Sequence, residues 1–496
     1  MFWVMAGAAA CLTACSGDRA LGDYPPSTCD LAEPPRQLSD TPLSIATFWV
    51  ADSHERDAFQ TLVDRVDSTR YFVSTQQMRT RVEAQRHISD SFENQRLPNV
   101  FQVNAGSDVL RWVNARNPES ADVCALDRLR DTYGWSDRYF SAALAPLTCH
   151  AKLYGLPVGI HRLNVLFYNR DVFADLAKRA RAQGTELVEP SRLTSAQDLL
   201  SELERVRQLG AVAPTGQPLL PLAIDTTGDW PLTHIAFENL LVSLGNHAYE
   251  TLWMGGLEGA DAARAAELET TLEEMVAVLR ALHGFSAFPT RVSWQEALRQ
   301  VGAGEALMTI GGDWGLAQLG PDALSSVETA AFPGTDGSFV YTPDSFAVPR
   351  ELGKNGFPAR SFLHDVIANK DALIEFSKAK HSIPPRQDLT PDEIEALAGE
   401  NLRATYRQFA RCSDPASGCQ LLLAVSGLGP PPGAEPCFDE LDELLSFAVS
   451  GSAPAADFLA GRLCDQPFPS TSAEAERRLI ELLLSVATQR FAADCR

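Results

Sequence analysis

The chain has 496 residues, 45% hydrophobic and 21% charged, with a formal net charge of −22. That length supports two or more domains with separate cores, and the composition is that of a globular protein. The acidic balance argues against nucleic acid as a partner, because phosphates are read by Lys and Arg. The acidic residues are spread along the chain, where they serve solubility.

Residues 1–12 are mostly apolar or small and run into Leu12-Thr13-Ala14-Cys15, the pattern of an export segment before its cleavage site. The order Leu, Thr, Ala, Cys resembles the bacterial lipoprotein signal. That resemblance implies a signal peptide over residues 1–15 and a lipid on Cys15. No Lys or Arg stands at residues 2–6, so a start within a longer signal is expected. The other reading is a buried N-terminal helix with a chance cysteine. Apart from Cys11 and Cys15, eight cysteines remain, an even number that in an exported protein allows up to four disulfides. Proximity favours Cys124 with Cys149 and Cys412 with Cys419. No Cys/His set has metal-ligand spacing, and no other apolar run reaches membrane-spanning length. Membrane contact is therefore expected through the lipid only.

Residues 16–40 are rich in Pro, Ser, Asp and Gly and read as a tether. Residues 43–50 are nearly all apolar, as in a buried parallel strand, and Asp52 or Ser53 can cap the helix that follows. A short strand at 70–75, an amphipathic helix and a strand at 100–103 complete an α/β alternation. Ligands of such sheets gather at the carboxyl ends of strands, which puts Trp49, Asp52, Gln102 and Asn104 on one rim. Residues 153–173 hold a turn-prone start, a polar cluster of His161, Arg162 and Asn164, and an apolar strand at 165–168. A helix capped by Thr194 or Ser195 follows, then a strand at 219–224 ending in Asp225-Thr226-Thr227-Gly228-Asp229-Trp230. Helices are expected at 233–244, 261–282 and 294–301, and a strand at 306–310 ending in Gly311-Gly312-Asp313-Trp314. The last third is mainly helical.

No HExxH, GxSxG, phosphate loop or strand-borne GxGxxG is present. Asp and Glu are plentiful enough for a glycosidase pair, but no spacing selects one. The recurring feature is a strand end that carries an indole beside an acid: Trp49 with Asp52, Asp229 with Trp230, Asp313 with Trp314. An indole covers the CH face of a sugar, and carboxylates and amides hydrogen-bond its hydroxyls. The plainer reading makes each Trp a core residue and each Asp a helix cap. His161 reads as a hydrogen-bonding site residue or a satisfied structural histidine. It has no partner at metal spacing.

The segments TFWVADSHERDAF from Thr47, PNVFQVNAG from Pro98, LYGLPVGIHRLNVLFYN from Leu153, SWQEALRQVGAGEALMTIGGDW from Ser293, FPGTDGSFVYTPDSFAVP from Phe332 and HSIPPRQD from His381 together resemble the extracellular solute-binding proteins of bacterial ABC sugar importers. Among these the chain is most similar to the glucose-type members. The resemblance implies an α/β, two-lobed periplasmic-binding-protein-like fold of type II, with a hinge and a ligand cleft between lobes. Lobe 1 would take residues 41–154 and 338–380, and lobe 2 residues 155–337 and 381–496. Carried over, Trp49, Asp52, Gln102, Asn104, His161, Asn164, Trp230, Asp313, Trp314 and Asp344 line the cleft. Asn104 and Ser426 stand where glucose-type members usually carry His, which leaves the identity of the sugar open.

The implied activity is binding: a monomer, lipid-anchored at the periplasmic face of the envelope, hands a monosaccharide or short oligosaccharide to the permease subunits of an ABC importer. No cofactor, metal or catalytic residue is implied. The competing readings are a lipid-anchored carbohydrate-active hydrolase and a ligand-sensing lipoprotein that no longer transports.

Overall fold

The computed structural model describes residues 43–49, 53–64, 71–73, 81–94, 96–110, 112–113, 121–224, 232–253, 262–286, 292–350, 356–397, 399–424, 444–445, 447–449, 469 and 471–488. The expected signal with Cys15, the tether, Asp52, Trp230 and Ser426 lie outside the described residues. The chain divides into two compact units. The first holds the described residues up to His161 together with Thr342–Leu423, and the second holds Arg162–Tyr341 with the described residues of Ala424–Phe491.

In chain order the strands are β1 (Leu43–Ala46), β2 (Tyr71–Val73), β3 (Val100–Asn104), β4 (Thr148–Cys149), β5 (Lys152–Leu153), β6 (Leu156–Arg162), β7 (Val165–Asn169), β8 (Leu220–Ala223), β9 (Ala306–Gly311), β10 (Val327–Ala331), β11 (Ser338–Ala347) and β12 (Gln420–Leu423). The sheet of the first unit runs β12-β11-β3-β1-β2, with β6 also paired to β11. β1 is parallel to β2 and to β3, and β3 is antiparallel to β11. Near-continuous apolar strands suit a sheet covered on both faces. Cover on one side comes from the helix His54–Val63, started by Ser53, whose hydroxyl accepts from the Arg56 amide. That helix buries Ala58, Phe59, Leu62 and Val63, one stripe at helical spacing. Phe59 and Phe346 stack there at 5.6 Å between ring centroids.

The second unit has a four-stranded sheet, β10-β7-β9-β8, in which only β8 and β9 run parallel. Every residue of β7 and of β9 is buried. The helix Ala196–Gln208 begins at Ser195, which accepts from the Asp198 amide, and buries Leu199, Leu203 and Val206. Of the two expected caps, Ser195 is the one used.

The division differs from the expected lobes in three places, the smallest being Ser338–Tyr341, which fall in the second unit rather than the first. The first crossing falls after His161 rather than after Tyr154, because β6 stays paired to β11 in the first sheet. Residues 381–423 belong to the first unit, not the second. Ile160 and Ile383 exchange two backbone hydrogen bonds of 2.9 Å, Phe140 N donates to Pro385 O, and the Tyr406 hydroxyl donates to Arg386 O at 2.8 Å. These bonds fasten the segment after His381 before the chain leaves through β12. The Cys412–Cys419 disulfide closes the turn ahead of β12, as proximity predicts, and Cys124 and Cys149 are also disulfide-bonded. Among the described residues no helix is long and apolar enough to cross a membrane.

Candidate functional site

In the first unit, three strand positions and one helix end bring polar groups together. β3 carries Gln102 and Asn104, β11 carries Asp344 directly opposite Asn104, and β6 ends near His161. Lys380 comes from the last turn of the helix Lys370–Lys380, where a cation suits the helix dipole, and the next residue, His381, turns out of the helix with φ 54°. Gln102, Asn104, His161, Asp344 and Lys380 are all buried.

Asp344 is the centre of this cluster. One carboxylate oxygen accepts from the Lys380 ammonium and lies 3.2 Å from His161 Nε2, and the other accepts from Gln102 Nε2 at 3.4 Å. Gln102 in turn accepts from the Phe48 amide. Burial pushes the Asp344 carboxyl up, but Lys380 and His161 outweigh it and hold the group well below the usual carboxylate range. His161 Nε2 is also 2.9 Å from Lys380 Nζ. It carries a proton when it donates to Asp344 and none when it accepts from Lys380.

Trp49 supplies the aromatic face. The Lys380 ammonium sits 4.5 Å from its ring centroid, and Phe59, Phe346 and Phe376 surround the indole at 5.3 to 5.9 Å. Trp49 is thus also a core residue of the first unit. Asn104 differs from its neighbours: its backbone amide donates to Asp108, but its side-chain Nδ2 has no hydrogen-bond partner among the described residues. A buried donor left without an acceptor costs about 1 to 3 kcal/mol, so a ligand oxygen there would recover that loss.

The second unit gathers its polar residues around the start of β7. The Asp313 carboxylate accepts from the Arg162 amide at 3.0 Å. Arg162 Nε donates to Asn164 Oδ1, and the guanidinium lies over the Phe339 ring at 5.4 Å. Burial draws the Arg162 side chain down to about 10, against the opposing pull of Asp313 and Asp336. Asn164 Nδ2 donates to Thr335 Oγ1 and to Ser338 O, and its Oδ1 also accepts from the Val340 amide. Its amide is therefore spent on fastening the 335–340 segment to the strand entrance. Trp314 folds back onto Gly312, where a Cβ would lie 1.9 Å from the ring; only glycine permits that approach.

Within each unit the structure thus brings together residues that are far apart in sequence. Trp49, Gln102, Asn104, His161 and Asp344 share one cluster, and Asn164, Asp313 and Trp314 lie in the second unit. Lys380 was not expected: a lysine ending an amphipathic helix reads as a solvated terminal cation. The one available signal was its place one residue before the His381-Ser382-Ile383 motif. Among the described residues no group of three His, Cys, Asp or Glu is placed to hold a metal ion.

These two units define a two-lobed α/β fold of the type II periplasmic-binding-protein kind. It matches a bacterial solute receptor described with an exclusive preference for β-D-galactopyranose (TM-score 0.64, 18% identity, 89% of this chain and 98% of that one). It also matches a chitin oligosaccharide binding protein (TM-score 0.61, 15% identity, 87% and 94%). The family model for bacterial extracellular solute-binding proteins matches residues 69–399, and the chain belongs to that family, which is one of binding proteins rather than enzymes. An uncharacterised ABC transporter extracellular-binding protein of Pyrococcus horikoshii is 25% identical over 301 residues, 60% of this chain and 61% of its own. A xylose/arabinose-binding protein of Haloferax volcanii is 26% identical over 296 residues, 58% and 57%. The chain spans about three-fifths of the length of these curated relatives.

Proposed function

We propose that this protein is a lipid-anchored extracytoplasmic receptor that captures a monosaccharide or short oligosaccharide and delivers it unaltered to the permease subunits of an ABC importer. The observation that carries this reading is the cluster of the first unit, where an ionised acceptor, Asp344, stands opposite the side-chain amide donor of Asn104, which has no partner among the described residues. A neutral hydroxyl needs such a pair. Asp313, Trp314 and Trp230 contribute from the second unit. A ligand that engages both units favours the state in which both can reach it, by its difference in affinity for the two states. The permease reads that state, and lipid on Cys15 keeps the monomeric receptor at the periplasmic face of the envelope.

A thermal-shift panel of mono- and disaccharides on the protein lacking residues 1–15 tests this, because a ligand that binds only the folded state raises its stability. At least one hexose or short oligosaccharide should stabilise the protein, and the shift should disappear in Asp313→Ala and in Trp230→Ala. Full shifts in both variants would remove the second unit from the site.

A further inference from the structure

The buried lysine of the first unit suggests how ligands are selected, a point that rests on the sugar-binding reading above. Residues directly opposite in an antiparallel pair project to the same face with Cβ atoms about 5 Å apart. Asn104 and Asp344 hold that relation. Asp344 is acceptor-only while ionised, and Asn104 Nδ2 is donor-only and unmatched among the described residues. Lys380 occupies one carboxylate oxygen of Asp344, while Gln102 touches the other. The ammonium itself is buried against the Trp49 ring.

We propose that Lys380 is the positioning residue of a hydroxyl-reading half-site: it keeps Asp344 an oriented, ionised acceptor beside the Asn104 donor, so the group read here is an alcohol. An alcohol donates to Asp344 and accepts from Asn104 at once. A uronate brings an acceptor against an acceptor. An ammonium sugar satisfies Asp344 but leaves the Asn104 amide without an acceptor. The ligand class is therefore the neutral polyol, and Lys380 selects it without touching it. Among the described residues, the charged or titratable groups facing Asp344 are Lys380 from its helix and His161 from β6. Gln102 from β3 is neutral, and the Asp108 carboxylate accepts from the backbone amide of Asn104.

The test is calorimetric titration of the protein lacking residues 1–15 with D-glucose, D-galactose and D-xylose, their single-deoxy analogues and D-glucuronate. It is run on wild type, Lys380→Met, Asn104→Leu and the double variant Lys380→Met/Asp344→Asn. Wild type should bind a neutral sugar at least about tenfold more tightly than the uronate, with less than about a twofold change from about pH 8 to about pH 5. Lys380→Met should lose about tenfold in affinity over that range, because its buried carboxylate takes up a proton there. Asn104→Leu should lose the discrimination against one deoxy analogue.

Parallel pH profiles for wild type and Lys380→Met would overturn the proposal, as would unchanged deoxy discrimination in Asn104→Leu. If Lys380→Met does not fold, the double variant decides, since it removes both charges. A folded double variant that keeps wild-type affinity refutes the proposal, and one that loses at least about tenfold upholds the Asp344 acceptor on which it rests. If wild type binds no saccharide, the sugar-binding reading itself fails. If wild type binds and the variants follow it, sugar binding stands and the half-site of Asp344, Asn104 and Lys380 fails.

Discussion

The Lys380 ammonium lies 4.5 Å above the ring of Trp49, so a buried cation rests on an indole that is also packed among three phenylalanines. One side chain thereby joins the core of the first unit to its polar cluster. Trp49→Ala should lower unfolding stability by about 3 to 5 kcal/mol through the cavity it leaves. Trp49→Phe should cost less, since a smaller face for the cation remains. Urea unfolding followed by circular dichroism reads both, and equal losses would mean that the cation contact contributes nothing.

Asp344→Asn leaves a buried lysine without its anion. The expected loss is about 3 to 5 kcal/mol at neutral pH. The sign of the pH dependence follows from the depressed carboxyl. Its contribution is complete above the unfolded-state pKa of about 3.9 and is lost as pH falls through the lower folded-state value. Wild type should therefore lose stability on acidification below about pH 4, and Asp344→Asn should lack that component. Acid unfolding of the two proteins side by side measures it.

Asn164→Leu removes an amide that serves Arg162, Thr335, Ser338 and Val340. Stability should fall by about 2 to 4 kcal/mol, because several buried partners lose their acceptor or donor together. Thr335→Val breaks one of those bonds together with the hydroxyl's own bond to Phe332 O, and should cost about 1 to 2 kcal/mol. Thermal unfolding separates the two.

The Cys412–Cys419 disulfide spans a sequence separation of 7. A short closed loop gives a modest gain, so Cys412→Ser with Cys419→Ser should cost about 2 to 3 kcal/mol. Ligand affinity should be unchanged, since the side chains of Gln102, His161 and Lys380, which contact Asp344, lie outside the turn. Paired melting and titration curves check both statements.

Sequence patterns located most elements because local rules and tertiary packing agreed. β3, β7 and β9 follow from apolar runs, and Ser53 and Ser195 follow from capping chemistry. Trp49, Gln102 and Asn104 are legible as strand-end groups, His161 as part of a polar cluster, and Asp344 only through the family resemblance. Their convergence is not, since it depends on which strands pair. Lys380 escaped because nothing local separates a buried terminal lysine from a solvated one. Residues 381–423 lie in the first unit rather than the second because backbone bonds of Ile383, Pro385 and Gln387 to Ile160, Phe140 and Arg138 fasten the segment there, and such bonds have no side-chain signature. Asn164 reads from the sequence as a ligand group, and only the structure shows its amide already committed to Arg162, Thr335, Ser338 and Val340.

The most direct measurement is equilibrium dialysis of wild type and Asp313→Ala against labelled neutral saccharides, with chemical analysis of the recovered ligand. The account predicts saturable retention of at least one saccharide by wild type, recovery of that saccharide intact, and little retention by Asp313→Ala. Retention of none, or recovery of cleaved sugar, would contradict it.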